Sequence, residues 1–427
     1  MTSVLRIIVL CLLTAFVSTA QQRFIVRTPV GELLLKTSCT LLGCNVVGGL
    51  GDPVGQVFLI TIPNILNAGA VLTSLTQLAG LTSSEVDQIA RIASSSRTIP
   101  DTLYRTESVS YFGSTVRHGY VYQPAASIVR LSEARNSFGV TGTHIVAVID
   151  TGVDPDHPAL RNVLLPGYDY TRGGSASASE KADVTQSTAA VVDGVPPVFV
   201  NADAAAVVDQ STAAVVDDPD HAAFGHGTMV AGVVHLVAPQ ARIFPLKAFR
   251  ANGTGYTSDI LRAMYEAVRG RARVINMSFS MPSPSPELKR AVDHALGSGA
   301  VCVASAGNNG VSAPYYPAAF DNVIGVASTT NWDTRASFSN YGSKIWVAAP
   351  GEAIVTTYPY GTFAAAWGTS FSAPFVSGTV ALLLQAQADL QIPKAKDALA
   401  HAKALTPELG HGRLDIFRAV EAVKTGY

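Results

Sequence analysis

The strongest constraint on the fold is an alternation, from about residue 140 onward, between short apolar runs and helical stretches. Patterns typical of buried strands cover 144–149, 273–277 and 300–304, and helical patterns cover 258–269, 285–296 and 372–387. Strands that are apolar throughout belong to parallel sheets covered by helices on both faces. The sequence therefore predicts an α/β fold with a doubly wound, mostly parallel sheet. The 372–387 helix is apolar around most of its circumference, which predicts a buried central helix, and Pro374 places its start close to Ser370.

The first 20 residues are typical of a secretory signal peptide. Arg6 precedes an apolar run from Ile7 to Val17, and Ser18-Thr19-Ala20 supplies the small residues of a cleavage site after Ala20. An uncleaved membrane anchor is the weaker alternative, because the run is well short of the ~20 residues that span a bilayer. We expect export, and no membrane attachment after cleavage.

Residues 21–118 form a second region with a different pattern. Two strand-like runs, 23–27 and 57–62, flank a glycine-rich stretch, and Ser83-Ser84-Glu85 predicts the cap of a helix reaching Ile92. This indicates a small α+β domain, which alone carries no chemical signature and could be a binding module. We do not expect Cys39 and Cys44 to pair, because an exported domain of this size does not need a disulfide.

Composition excludes several classes of protein. Hydrophobic residues make up 48% and charged residues 14%, which excludes a disordered or coiled-coil chain. The 30 Lys and Arg balance 31 Asp and Glu, so the chain lacks the basic surplus of a general nucleic-acid binder.

One segment, about residues 171–221, interrupts the alternation. The sequence Gln-Ser-Thr-Ala-Ala-Val-Val-Asp occurs at 186–193 and again at 210–217. Two copies are too few for a solenoid, so we interpret the segment as an inserted surface loop. Its carboxylates, Asp183 among them, are expected to be solvated rather than to bind calcium, since no calcium-loop spacing is present.

Three separate residues could together activate a nucleophile. Asp150 ends an apolar strand, His226 lies between two glycines at a predicted helix start, and Ser370 lies at the start of the central helix. Each alone has an ordinary alternative: a turn-capping Asp, a core or metal-binding His, and an N-cap Ser. Together they supply a nucleophile, a base and the carboxylate that orients the base. Asn308, after the 300–304 strand, is a candidate oxyanion donor, with ordinary turn chemistry as its alternative.

Five blocks of sequence resemble the subtilisin-like serine peptidases, the subtilases. They are V-A-V-I-D-T-G-V-D at 146–154, G-H-G-T-M-V-A-G at 225–232, N-M-S at 276–278, A-S-A-G-N-N-G at 304–310 and G-T-S-F-S-A-P at 368–374. The resemblance covers about residues 120–424, and it implies a subtilisin-like catalytic domain over 119–427. It further implies that Ser370 is the nucleophile, His226 the general base and Asp150 its orienting carboxylate, with Asn308 in the oxyanion hole.

The same resemblance implies how substrate and inhibitor bind. Ser278-Phe279-Ser280 resembles one substrate-binding edge and Gly253-Thr254-Gly255 the opposing one, so that an extended polypeptide would lie between two strands. Residues 21–118 then resemble a propeptide that inhibits the enzyme until it is removed.

Two departures from the family pattern bear on specificity and cofactors. Ser280 and Met281 stand where the family commonly has Gly-Gly, which predicts a reshaped primary specificity pocket. Ala159 stands where many members have a calcium-binding Asp, so we expect no cofactor and no strong calcium site of the usual kind.

The sequence therefore predicts a secreted serine endopeptidase that hydrolyses extended polypeptides through an acyl-enzyme intermediate. A catalytically silent binding protein of the same fold is the alternative from a different class. Another serine hydrolase, such as an esterase, is disfavoured because no Gly-x-Ser-x-Gly motif surrounds Ser370.

Overall fold

The computed structural model describes residues 20–91, 100–174, 177–183, 207–208 and 219–426. The chain divides into two compact units, one comprising Met1–Gly49 and Gln56–Val86 and the other Leu50–Gly55 and Asp87–Tyr427. The signal-peptide prediction over residues 1–19 and both copies of the repeat lie outside the described residues. Within those residues, no helix combines the length and the apolar character that crossing a membrane requires.

The first unit packs two helices on an antiparallel sheet with the strand order β2-β3-β1-β4. Val26, Leu35, Ile60 and Leu75 are fully buried in its core. Its elements are β1 (Gln21–Arg27), α1 (Glu32–Leu42), β2 (Asn45–Gly49), β3 (Val57–Pro63), α2 (Ala68–Ala79) and β4 (Ser83–Val86).

Two predictions for the N-terminal region are wrong. Cys39 and Cys44 form a disulfide, because α1 ends at Gly43 in a left-handed conformation (φ 77°) and the chain turns back to bring the two Cα atoms within 4.6 Å. The helix predicted from Ser83 is instead strand, since 83–86 pairs with the open edge of β1. Pairing across the sheet outweighs the local capping signal there.

The second unit is built on a parallel sheet with the strand order β16-β15-β14-β13-β8-β11-β9. Helices cover its faces, which confirms the predicted doubly wound α/β fold. Its strands are β5 (Ile89–Arg91), β6 (Ser108–Tyr111), β7 (Ser114–Arg117), β8 (Ile145–Asp150), β9 (Tyr168–Asp169), β10 (Val207–Val208), β11 (Arg242–Lys247), β12 (Thr254–Tyr256), β13 (Val274–Met277), β14 (Val301–Ser305), β15 (Ile324–Thr329), β16 (Val347–Pro350), β17 (Ile354–Tyr358) and β18 (Thr362–Ala366).

The helices of this unit include one that runs through its core. They are α3 (His118–Val121), α4 (Pro124–Ile128), α5 (Leu131–Phe138), α6 (His226–Val237), α7 (Thr257–Arg269), α8 (Pro286–Gly297), α9 (Thr369–Ala386), α10 (Ile392–Leu399) and α11 (Ile416–Thr425). Helix α9 is buried from Thr369 to Leu384 and begins one residue before Ser370, as the position of Pro374 predicts. The carboxyl ends of β8, β13 and β14 meet at one edge of the sheet, where folds of this kind place their sites.

Candidate active site

Asp150 and His226 form a buried hydrogen-bonded pair. Asp150 is the last residue of β8, and His226 is the first of α6. The Nδ1 atom of His226 donates to Asp150 Oδ1 at 2.7 Å, and the same oxygen accepts the backbone N–H of Thr151 at 2.7 Å. With Nδ1 as the donor, the Nε2 atom of His226 is left as an acceptor. The pair therefore has the arrangement of a base oriented by a carboxylate.

Glycine is required immediately before His226. Gly225 has φ 87°, and a Cβ there would lie 2.3 Å from the ring of Tyr358. The backbone can therefore turn directly into α6 beneath a buried aromatic ring only if this position lacks a side chain.

Ser370 lies in the first turn of α9 and is almost fully buried. Its hydroxyl donates to the carbonyl oxygen of Ser278 at 3.1 Å. The Nε2 atom of His226 has no hydrogen-bond partner within the part of the chain that the structure describes. The His226 ring lies 5.3 Å from the ring of Phe371, the residue after Ser370, measured between centroids. The structure thus brings Ser370 to the same end of the core as His226 without a hydrogen bond between them.

Asn308 follows β14 and is fixed against the start of α9. Its Oδ1 atom accepts from the backbone N–H and the hydroxyl of Thr369, at 2.9 and 2.7 Å. The amide nitrogen then faces Gly368, where a Cβ would lie 2.9 Å from it. An N–H donor therefore lies beside the first turn of α9, whose backbone N–H groups have no partners within the helix.

A residue that the sequence analysis missed, Asn340, holds the loop that carries Asn308. Its side chain donates to Ala306 O at 3.0 Å and accepts from the N–H groups of Asn309 and Val311 at 3.0 and 3.2 Å. Asn340 is buried. Nothing in the local sequence distinguishes it from a surface loop residue, because its partners lie about 30 residues earlier in the chain.

The three residues predicted at one substrate edge differ in exposure. Ser278 is fully buried, and its hydroxyl accepts from Asn276 and donates to Ser370 O at 2.7 Å. Phe279 is buried against Phe249, with ring centroids 5.0 Å apart, and Ser280 is partly exposed. The Ser278 and Phe279 side chains therefore support the site from inside, which leaves backbone groups for contact with a ligand.

The opposing edge is formed by Gly253, Thr254 and Gly255. Strand β12 begins at Thr254 and pairs antiparallel with β5, with Gly255 opposite Ala90. A Cβ at Gly255 would lie 2.5 Å from Ala248 O, so only glycine fits there. In the structure this edge pairs with one extended segment of the same chain, Ile89–Arg91.

A further correction concerns the segment predicted to be a surface loop. Of its described part, Glu180 is fully buried, and the Asp183 side chain is only 8% exposed. Asp183 Oδ2 accepts from the fully buried Lys247 Nζ at 2.7 Å, so it is not the solvated carboxylate that we predicted. A buried ammonium group recruits a carboxylate, which a reading of local sequence could not reveal.

Glu180 contacts both sides of the Asp150–His226 pair. It accepts from the Thr151 hydroxyl at 2.5 Å and from the Gly227 and Thr228 N–H groups at 2.9 and 3.2 Å. Burial raises the pKa of Glu180 to about 8, and the bond from Thr151 opposes that rise. Its only signal in the sequence is a charged residue among small Ser and Ala residues, which is weak.

Two observations concern possible metal ligands and the free thiol. No group of three His, Cys, Asp or Glu side chains that could hold a metal ion occurs in the described ranges, and Ala159 is buried. Burial raises the pKa of the Cys302 thiol to about 12, which disfavours a thiolate nucleophile.

Known proteins resemble this chain in sequence and in structure. Residues 142–417 match the Peptidase_S8 family, described as the subtilase family. The chain is 34% identical over 287 residues to the thermophilic serine proteinase of Bacillus sp. (strain AK1), covering 64% of this chain and 61% of that protein. It is 34% identical over 238 residues to thermitase of Thermoactinomyces vulgaris, covering 56% of this chain and 74% of that protein.

A solved structure shows the same fold. Fervidolysin from Fervidobacterium pennivorans, titled a keratinolytic enzyme related to subtilisin, superposes with a TM-score of 0.69 at 22% identity. The superposition covers 94% of this chain and 61% of that one. The chain thus spans less than two thirds of the length of fervidolysin and of the Bacillus proteinase. Because the family match extends over residues 142–417, more than half of its length, the chain belongs to the subtilase family, peptidase S8.

Proposed function

We propose that this chain is a secreted serine endopeptidase that cleaves extended polypeptides through an acyl-enzyme intermediate. The observation that carries the proposal is the Asp150–His226 hydrogen bond, which leaves His226 Nε2 as an acceptor at the entrance of the helix that begins with Thr369 and Ser370. A base of this kind, an alcohol and convergent N–H donors are the components of acyl transfer to serine.

In the proposed reaction, Ser370 Oγ attacks the scissile carbonyl carbon while its proton passes to His226 Nε2. Asp150 stabilises the resulting imidazolium through Nδ1. The Asn308 amide and the Ser370 backbone N–H stabilise the oxyanion. His226 then protonates the departing amine, and the acyl group remains on Ser370. In the second step His226 takes a proton from a water molecule that attacks the acyl carbon, and it returns that proton to Ser370 Oγ as the bond between Oγ and the acyl carbon breaks and the carboxylic acid leaves.

Before substrate binds, the Ser370 hydroxyl is held by a different acceptor. It donates to Ser278 O, and a rotation about its Cα–Cβ bond redirects it. Catalytic hydrogen bonds are often long or absent in free enzymes and tighten in the complex. The bond to Ser278 therefore fits a resting state of the proposed mechanism.

The proposed substrate lies as a strand between Gly253–Gly255 and Ser278–Ser280. The pairing of β5 with β12 supports this role, because Ile89–Arg91 occupies the edge as a short antiparallel strand held by backbone bonds. Backbone recognition of this kind accepts many sequences. The substitution of Ser280 and Met281 for the common glycines is proposed to restrict the residue before the cut.

The residues 21–118 are proposed to be an inhibitory propeptide. Supporting contacts come from Asp87 and Gln88, which anchor the segment before β5. Asp87 accepts from the Ser258 N–H and hydroxyl at 2.9 Å each, and Gln88 O accepts from Thr257 N at 2.9 Å. These bonds satisfy the first turn of α7 and hold 89–91 on the substrate edge. Residues 1–20 are proposed to direct export, and the enzyme is proposed to need no cofactor.

Hydrolysis of a fluorogenic peptide amide by the secreted, processed protein tests the function. The Ser370→Ala variant is expected to lose about 10⁶-fold in kcat. Ser372→Ala is the matched control, since Ser372 is also buried in the first turns of α9 but donates to Pro350 O at 3.2 Å. Equal rates of peptide hydrolysis by the parent protein and by Ser370→Ala would contradict the proposed function.

Processing and export have a separate test. Mass spectrometry of the exported product is expected to show a chain starting at Gln21 in Ser370→Ala, with residues 21–118 retained. The active protein is expected to lose that region. A retained signal segment in both, or identical processing of both, would contradict export or self-removal respectively.

A further inference from the structure

One buried carboxylate outside the proposed triad connects the two residues of the Asp150–His226 pair. Glu180 Oε1 accepts from the hydroxyl of Thr151, the residue after Asp150. The same oxygen accepts the N–H groups of Gly227 and Thr228, the residues after His226. The other oxygen accepts the Thr228 hydroxyl at 3.0 Å. The end of β8 and the start of α6 are therefore bonded to a single side chain.

The connection leaves little room for adjustment. The Thr151 hydroxyl also accepts the Gly227 N–H at 2.9 Å, so the two backbones are linked with and without Glu180. A Cβ at Gly227 would lie 2.0 Å from Gly152 O and 3.0 Å from Glu180 Oε1. Glu180 and Thr151 thus share the N–H of Gly227, the residue directly after His226.

We propose that Glu180 is a positioning residue that sets the geometry of the Asp150–His226 pair for proton transfer. This inference rests on the proposed function of that pair. Glu180 does not touch the reacting atoms; it acts through Thr151 and through the first turn of α6.

The surroundings of Glu180 disfavour the ionised form of its carboxyl group. Glu180 is fully buried, and the charged or titratable groups that act on it in the described part of the chain include Asp150 on β8, Lys247 on β11 and Tyr358 on β17. Burial and then the charge of Asp150 raise its pKa, while Thr151, Lys247 and Thr228 oppose the rise. A buried carboxyl group is costly compared with an apolar side chain, so its presence here requires a benefit other than packing.

The raised pKa of Glu180 predicts a specific change of protein stability with pH. A carboxyl whose folded-state pKa lies above its unfolded value of 4.5 holds its proton more tightly when folded. Its contribution to stability is therefore fully present below about pH 4.5 and is lost as the pH rises toward about 8. Glu180→Gln removes this loss and keeps the size and one acceptor oxygen, but it replaces Oε2, the acceptor of the Thr228 hydroxyl, with an N–H donor. The variant should gain thermal stability relative to the parent protein as the pH rises, and yet lose activity.

The experiment compares Glu180→Gln with the parent protein, using kcat and KM for a peptide amide. The melting temperatures at about pH 5 and about pH 9 are measured in a Ser370→Ala background, which prevents autolysis. We expect kcat to fall about 10- to 100-fold with KM within about twofold, because a small displacement of the base slows proton transfer without affecting substrate binding. The difference in melting temperature should shift in favour of the variant between the two pH values.

Glu287→Gln is the matched control. Glu287 is also buried, but it lies in α8 and pairs with Arg290. Its kcat should equal that of the parent protein. If Glu180→Gln also keeps the parental kcat, the inference is wrong. It is equally wrong if kcat and melting temperature fall together at both pH values, which would indicate a structural role only.

A second pair of variants keeps the test decisive if Glu180→Gln does not fold. Thr151→Ser retains a hydroxyl that can donate to Glu180 and accept from Gly227, whereas Thr151→Val does not. We expect Thr151→Ser to restore most of the kcat that Thr151→Val loses, and equal rates for the two would overturn the inference. Failure of the proposed function is recognised separately, as equal rates for the parent protein and Ser370→Ala.

Discussion

The two halves of the candidate site are held in different ways. The half with Asp150 and His226 has its hydrogen bond already formed at 2.7 Å and is connected by Glu180, a residue from another part of the chain. The half with Ser370 and Asn308 depends on contacts at the start of α9. The Ser370 hydroxyl donates a hydrogen bond to the backbone carbonyl of Ser278. The acid–base half is therefore preorganised by a buried polar network, and the nucleophile half by a helix terminus and a loop.

This difference indicates which half tolerates change. A buried polar network loses much of its value when one member is removed, because the others remain buried without partners. A helix terminus keeps its backbone N–H groups whatever the neighbouring side chains are. We therefore expect substitutions around Asp150 to have larger effects than substitutions around Asn308.

The largest expected effect, apart from loss of the nucleophile, is that of Asp150→Asn. The amide would donate to His226 Nδ1 or leave it unpartnered, so that the imidazole would present the wrong nitrogen to Ser370. We expect kcat to fall about 10⁴-fold with little change in the melting temperature. Measurement of kcat with active-site titration checks this, and a loss under about tenfold would contradict a preorganised acid–base half.

The next effect is that of Asn308→Ala, which removes the proposed oxyanion donor. We expect a loss of about 10²–10³ in kcat with KM almost unchanged, because the donor is needed most in the transition state. Asn309→Ala is the control, since the Asn309 side chain is exposed. If Asn308→Ala lowers kcat as much as Asp150→Asn does, the two halves of the site do not differ as proposed.

A smaller effect is expected for Asn340→Ala, which removes the clamp on the Asn308 loop. Two partly buried backbone N–H groups and one buried carbonyl would lose their partner, lowering the free energy of unfolding by about 1–3 kcal/mol. We expect kcat to fall about tenfold through displacement of Asn308. Denaturant unfolding in a Ser370→Ala background and kinetics of the active protein measure the two effects. Stability loss without a change in kcat would show that Asn340 supports the fold alone.

The sequence predicted the parts of the molecule that are encoded locally. Apolar runs placed β8, β13 and β14 within a residue or two, and Pro374 placed the start of α9. The doubly wound fold followed from their alternation. The prediction of a helix from Ser83 failed because the edge of β1 was available for pairing, which no local pattern reports.

The sequence predicted a site residue only where the neighbouring residues in the chain indicated the end of a helix or strand. Asp150, His226, Ser370 and Asn308 each lie at or close to an end of a regular element. Glu180 and Asn340 were not recognised in this way, because their buried partners come from distant positions. Glu180 also lies in a segment that composition indicated to be exposed, so its position became evident only in three dimensions.

The smallest expected effect is that of Cys302→Ala. Cys302 is fully buried in β14, and burial raises the pKa of its thiol to about 12, so it remains a protonated core group at neutral pH. We expect an unchanged kcat and a stability loss of about 1 kcal/mol or less, as for a small truncation in a core. Loss of activity in a folded Cys302→Ala protein would show that the reaction also depends on β14, outside the two halves of the site.

A sulfonyl fluoride reacts with an activated serine, so mapping its adduct tests directly whether Ser370 is the nucleophile activated by His226. Peptide mass spectrometry of the processed protein is expected to find a single modification on Ser370. In His226→Ala the rate of labelling should fall by orders of magnitude, since nothing then accepts the proton. A label on another residue, or an equal rate in His226→Ala, would contradict the account.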